Sequence, residues 1–198
     1  VAITCHLWHI MRMEFTHLIE ILGDEPVYEP GLLLAGGVDP ADVRRQLSRW
    51  VKGGRLYRLR RGIYALAPPF QKAKPHPFVI ANRMVRGSYV SLQSALAYCG
   101  LIPDVVHTVT SVTTARPGRW ETSLGTYAFR HIKTKLFFGH RLVDLSPGQR
   151  AFVAVPEKAL LDLAYLQPGG DDPAYLQELR LQNLEHLDLN ELHKLAGQ

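Results

Sequence analysis

Apolar residues recur along the first third of the chain at helical spacing. Phe15, Leu18, Ile19 and Leu22 fall at i, i+3, i+4 and i+7, one face of an α-helix, and Gly23 offers a stop. Pro26 to Glu29 reads as extended. After Pro30 and Gly31, Leu32 to Ala35 reads as a short apolar helix ended by Gly36 and Gly37. The third signal is the clearest: Asp39 suits an N-cap, Pro40 the first helical position and Asp42 the first turn. Val43, Leu47, Trp50 and Val51 then build one apolar face, and Gly53 and Gly54 end the helix. Ala41, Arg45, Ser48, Arg49 and Lys52 project the other way, with Arg44 on the flank.

The period then changes from helix to strand. Arg55 to Ala67 holds two short β-prone runs around Arg60-Arg61-Gly62, and Gly62 supplies the positive φ that a tight hairpin needs. Three helices followed by a basic hairpin is the order of a winged helix-turn-helix. Pro68, Pro69, Pro75 and Pro77, with Lys72 and Lys74 between them, read as a linker. Beyond it the pattern predicts a helix over Phe78–Val85, a strand at Tyr89–Val90, a helix over Ser91–Tyr98 and a strand over Val105–Thr114. A turn at Arg116–Gly118 follows, then one or two strands within Thr126–Phe138 and a buried strand at Ala151–Val155. Glu157–Leu166, opened by Pro156, is apolar on nearly all sides and reads as an internal helix. Amphipathic helices over Pro173–Asn183 and Asn190–Ala196 finish the chain. The expected fold class is α+β: a winged helix-turn-helix over 13–67, a linker over 68–77 and a mixed α/β C-terminal domain over 78–198.

Charge sharpens this division. The net charge is +5 over 198 residues. Residues 39–67 carry eight Arg or Lys against two acids, whereas residues 151–198 carry three against eight. Residues 68–150 are basic as well, with eleven against three. Such asymmetry points to a polyanion partner for one region only. A helix entering the DNA major groove buries one face on its own domain and offers the other to bases and phosphates. Arg45 and Arg49 are placed to read guanine edges, with Arg44, Ser48 and Lys52 beside them. Arg58, Arg60 and Arg61 on the hairpin are placed for the adjacent backbone or minor groove. The expected partner is double-stranded DNA.

Other chemistry is not supported by spacing. The nine histidines form no metal-ligand motif such as H-E-x-x-H, and Cys5 and Cys99 lie far apart. Glu157, Lys158 and Asp162 invite a catalytic reading, but Glu157 at a helix start favours the macrodipole, which argues for a structural role. Ser88, Ser91 and Ser94 have no nucleophile-elbow context, and no phosphate-cradling glycine loop is present. No cofactor, metal or enzymatic activity is expected. No apolar run is long enough for a membrane span, Val1 to Arg12 lacks a secretory signature, and cytoplasmic localisation is the expectation.

Four stretches together carry a family resemblance: Val43–Ala65 (VRRQLSRWVKGGRLYRLRRGIYA), Tyr89–Leu96 (YVSLQSAL), Leu124–His131 (LGTYAFRH) and Ala154–Asp162 (AVPEKALLD). In order and spacing they resemble AbiEi-type antitoxins of type IV toxin–antitoxin systems. The resemblance implies a transcriptional autorepressor whose winged helix binds inverted repeats in its own promoter. It also implies a C-terminal domain that counters a nucleotidyltransferase-like toxin, with direct contact left open. The short, glycine-flanked second helix departs from that pattern. Two alternatives stand beside it: a ligand-responsive winged-helix transcription factor, with residues 78–198 sensing a small molecule, and a nucleic-acid-processing enzyme.

Overall fold

The structure, a computed structural model, describes residues 14–34, 39–103 and 106–198. It is an α+β fold. Helix α1 (Phe15–Leu22) buries Phe15, Leu18 and Leu22, as their spacing predicts. The second helical element is a 3-10 turn over Pro30–Leu33 rather than a helix over Leu32–Ala35. Pro30 opens it at the first helical position, where its fixed φ and missing N–H cost nothing. Ala35, Gly36 and Gly37 lie outside the described residues, as does Met13.

Helix α2 (Pro40–Lys52) follows the expected capping. The Asp39 carboxylate accepts from the Ala41 N–H at 2.8 Å, and the Gly53 N–H donates to the Arg49 carbonyl at 2.8 Å. Val43, Leu47 and Trp50 are buried. Burial of each is worth roughly 1.5–3 kcal/mol. Strands β1 (Leu56–Arg60) and β2 (Ile63–Leu66) form an antiparallel hairpin with Gly62 at φ +80°. Tyr28 closes a third line of backbone pairing by exchanging hydrogen bonds with Tyr64 at 2.9 and 3.0 Å.

The alternation of β2 divides its side chains between two cores. Tyr64 and Leu66 join Phe15, Leu18, Leu47 and Trp50 in the smaller one, while Ile63 and Ala65 enter the larger one with Val27 and Leu59. The hairpin is therefore shared by both clusters. The proline-rich segment 68–77 connects them and is itself packed. Phe70 lies edge-on to Phe15 at 4.8 Å, and the Gln149 side chain accepts from the His76 N–H at 2.7 Å and donates to the Lys74 carbonyl at 3.0 Å.

Helices α3 (Pro77–Met84) and α4 (Leu92–Tyr98) fall within a residue of expectation. They accompany a six-stranded mixed sheet of order β5-β6-β4-β3-β8-β7. Its strands are β3 (Ser88–Val90), β4 (Thr108–Thr113), β5 (Gly118–Thr122), β6 (Gly125–His131), β7 (His140–Ser146) and β8 (Gln149–Ala154). Two of these go beyond the sequence reading: Gly118 begins β5 rather than ending a turn, and β7 was not expected. After β6 the chain makes a 3-10 turn at Thr134–Leu136 instead of a second strand. Val105 lies outside the described residues.

Helix α5 (Pro156–Leu166) packs on α4 and β8, and α7 (Leu189–Ala196) packs on α5. Between them, α6 (Pro173–Glu178) stops short of Asn183, which adopts a left-handed conformation before a 3-10 turn at Leu184–His186. Among the described residues no helix is long and apolar enough to cross a membrane.

Candidate nucleic-acid interface

The outer face of α2 is open. Arg44, Arg45, Ser48, Arg49 and Lys52 are all exposed, opposite the buried Val43, Leu47 and Trp50. Arg49 donates to the Gln46 side-chain oxygen at 3.3 Å. Arg45 is paired with Asp42 one turn earlier. Both partners of that pair are solvent-exposed, 65% and 38% respectively, so water and salt screen it and a phosphate competes easily. Asp42 lifts the Arg45 guanidinium further above its already high range, first by hydrogen bonding and then by its charge.

The hairpin separates its arginines. Arg58 and Arg61 are exposed. Arg60 is half-buried: its guanidinium donates to the Met84 carbonyl and lies 5.3 Å from the Trp120 ring centroid. Arg60 therefore holds the hairpin on the sheet and does not share the outward face with its neighbours. The register shift between Arg58 and Arg60 is the local cause, since an irregularity there re-aims the side chains that follow it. Sequence alternation alone gives no sign of which arginine turns inward.

One cationic feature was visible in the sequence only as a regional excess of charge. A groove of about 640 Å³ runs between the hairpin tip and the sheet, and its cations come from Arg60, Arg61, Arg83, Arg86 and Arg116. Glu25 and Glu29 offset two of them: Arg83 meets Glu25 at 3.0 Å and Arg86 meets Glu29 at 2.8 Å. Arg61 thus belongs both to the outward basic surface and to the mouth of this groove.

A second charged constellation lies in the core. The Lys158 ammonium donates to Asp162, whose other oxygen accepts from Tyr89 at 2.9 Å and Ser91 at 2.7 Å. The four residues are buried. The expectation that α5 is internal through apolarity is corrected here: its buried face includes Glu157, Lys158 and Asp162, while Tyr165 is 53% exposed. Gly139 makes room for the Lys158 stem, since a Cβ there would approach the Lys158 Cγ to 2.9 Å. Burial pushes the Asp162 carboxyl up, with Lys158 the main opposing influence. Glu157 accepts from the Asp188 N–H at 2.9 Å, so it ties α5 to the start of α7 rather than capping its own helix. Among the described residues no group of histidines, cysteines and carboxylates could hold a metal ion, and burial lowers the values of His76 and His140.

Chemically, the α2 and hairpin surface consists of hydrogen-bond donors and positive charge, suited to phosphate oxygens and guanine edges. Comparison with protein families and with curated proteins returns no match for this chain.

Proposed function

We propose that the chain is a double-stranded DNA-binding transcriptional autorepressor and the antitoxin of a toxin–antitoxin operon. In this reading residues 13–67 act as a winged helix-turn-helix, α2 enters the major groove, and the β1–β2 hairpin is the wing. The observation that carries it is the single outward face of α2, where Arg45, Ser48, Arg49 and Lys52 stand exposed while the opposite face is buried. A duplex is a dense line of negative charge, and each phosphate neutralised releases condensed counterions. Arg45 and Arg49 read base edges; Arg44, Ser48, Lys52, Arg58 and Arg61 contact the backbone. Arg60 is withdrawn from the contact set and positions the wing.

The antitoxin part rests on the resemblance of four stretches to AbiEi-type proteins, and it assigns residues 78–198 to neutralising a nucleotidyltransferase-like toxin. Titration of the protein against its own upstream region tests the DNA reading. Binding is expected to weaken with salt at a slope of about −0.9 per phosphate neutralised. Binding unchanged in the combined Arg45→Ala, Arg49→Ala, Arg61→Ala variant would overturn the assignment of the groove face. Co-expression with the neighbouring toxin gene tests the antitoxin reading, which fails if toxicity persists.

A further inference from the structure

A second cavity, of about 330 Å³, lies where α3 crosses the β7–β8 end of the sheet. The DNA-binding reading makes no use of it. Its size falls in the range of small-molecule pockets, and its lining has their usual character of an apolar body with a few convergent polar groups. Leu142 and Phe152 sit opposite each other across β7 and β8 and are 46% and 45% exposed, large for apolar side chains on a sheet. Phe137 and the His140 ring continue this apolar wall, their centroids 5.0 Å apart, and Phe152 meets His140 edge-on at 5.8 Å. Such a wall favours a flat, ring-bearing body over an aliphatic chain.

The polar groups at this cavity are mostly donors. Arg83, Arg86 and Arg150 all line it. Arg83 and Arg86 each use part of their guanidinium on Glu25 and Glu29, leaving further N–H groups of the five that each carries. Arg150 is exposed and enters no ion pair among the described residues. The Asn82 carboxamide oxygen accepts from the Phe152 N–H at 2.6 Å, which fixes its orientation, and the amide nitrogen is then left buried without an acceptor. A buried amide N–H without a partner is uncommon, because it costs about 1–3 kcal/mol.

We propose that this cavity binds a planar aromatic acid, its ring system lying against Phe137, Leu142 and Phe152 and its anionic oxygens held by Arg150 with Arg83 and Arg86. A carboxylate and a phosphate monoester share this chemistry. The test uses the full chain and three fluorescent probes of one ring system: 2-naphthoate, 2-naphthyl phosphate and the neutral 2-naphthamide. At least one anion is expected to bind with a dissociation constant on the order of 10–100 µM, and the tighter of the two identifies the anionic group. Arg150→Glu is expected to weaken it by about thirtyfold or more, and Arg150→Lys to recover part of the loss. The variants alter an exposed side chain, and an unchanged thermal unfolding midpoint establishes that they fold. Failure of both anions to bind at about 1 mM, binding of the amide as tight as the anions, or undiminished binding in Arg150→Glu would each overturn the proposal. None of these outcomes depends on DNA, so the site and the repressor reading stand or fall separately.

Discussion

Helices α2 and α5 each place an acid and a base about one turn apart, Asp42 with Arg45 and Lys158 with Asp162. In α2 the pair lies in water and its members are free to exchange partners. In α5 the pair is enclosed, with side-chain exposures of 4% and 0%, and Tyr89 and Ser91 complete the shell of Asp162. The same local chemistry therefore gives a renewable surface in one helix and a fixed crosslink in the other. An exposed pair contributes little to stability, whereas breaking a buried one leaves an uncompensated charge. The difference lies in what covers each helix, and a short sequence motif does not encode it.

The sharpest way to break this contrast is Lys158→Ala. It strands the Asp162 carboxylate in the core and is expected to cost about 3–5 kcal/mol in urea unfolding, while the folded fraction keeps its DNA affinity. Replacing both partners, Lys158→Met with Asp162→Leu, is expected to recover much of that loss. A neutral single variant would show that the crosslink is no more important than the surface pair.

On the α2 side, the combined Arg45→Ala, Arg49→Ala, Arg61→Ala variant is expected to leave the unfolding midpoint unchanged. Its DNA affinity should fall by about a hundredfold or more, with the salt slope shallower by about 1, because Arg61 alone of the three contacts the backbone. A drop in stability instead of affinity would reverse the roles assigned to the two helices. Arg60→Ala occupies the middle ground. Loss of its hydrogen bond and ring contact is expected to cost about 1–2 kcal/mol in thermal unfolding, with a salt slope close to that of the parent protein.

Two smaller effects refine the picture. Burial lowers the values of His76 and His140, so the native state binds fewer protons than the unfolded chain. Stability is then fully present above the ordinary histidine value of about 6.5 and declines as pH falls through it towards the lowered native values. Unfolding followed between pH 7.5 and 5.5 should show that decline, and His140→Phe should reduce it to the His76 part. Last, Asp42→Ala frees Arg45 and is expected to tighten DNA binding by about threefold, with stability within error of the parent.

Much of the first third of the molecule was legible because its signals are local. Asp39, Pro40 and the glycines fix the ends of α2 by capping chemistry, and the Val43, Leu47 and Trp50 spacing fixes its buried face. Gly62 likewise marks the hairpin turn. The edge strands β5 and β7 were missed because neither has a fully buried residue: β5 alternates half-buried with exposed positions, and β7 mixes them irregularly. A weak alternation of this kind does not stand out from a loop. Arg60 was assigned to the outward surface because its departure depends on Met84 and Trp120, both distant in sequence. The buried face of α5 was misread for a similar reason: apolarity was taken to make the helix internal, whereas Lys158 and Asp162 are buried through Tyr89, Ser91 and Gly139, which come from other strands and turns. Of the eight arginine, lysine and serine positions expected at the DNA surface, Arg60 is the one the fold withdraws.

The shared hairpin has a consequence for how this protein can be cut or recombined. Excising residues 14–67 would uncover Val27, Leu59, Ile63 and Ala65 along one flank and strip Arg60 of its carbonyl and its indole. The isolated fragment would be a sticky, loosened ribbon rather than a portable cassette. Grafting this head onto another body would work only if the new host supplied a matching greasy seat beneath the β-ribbon.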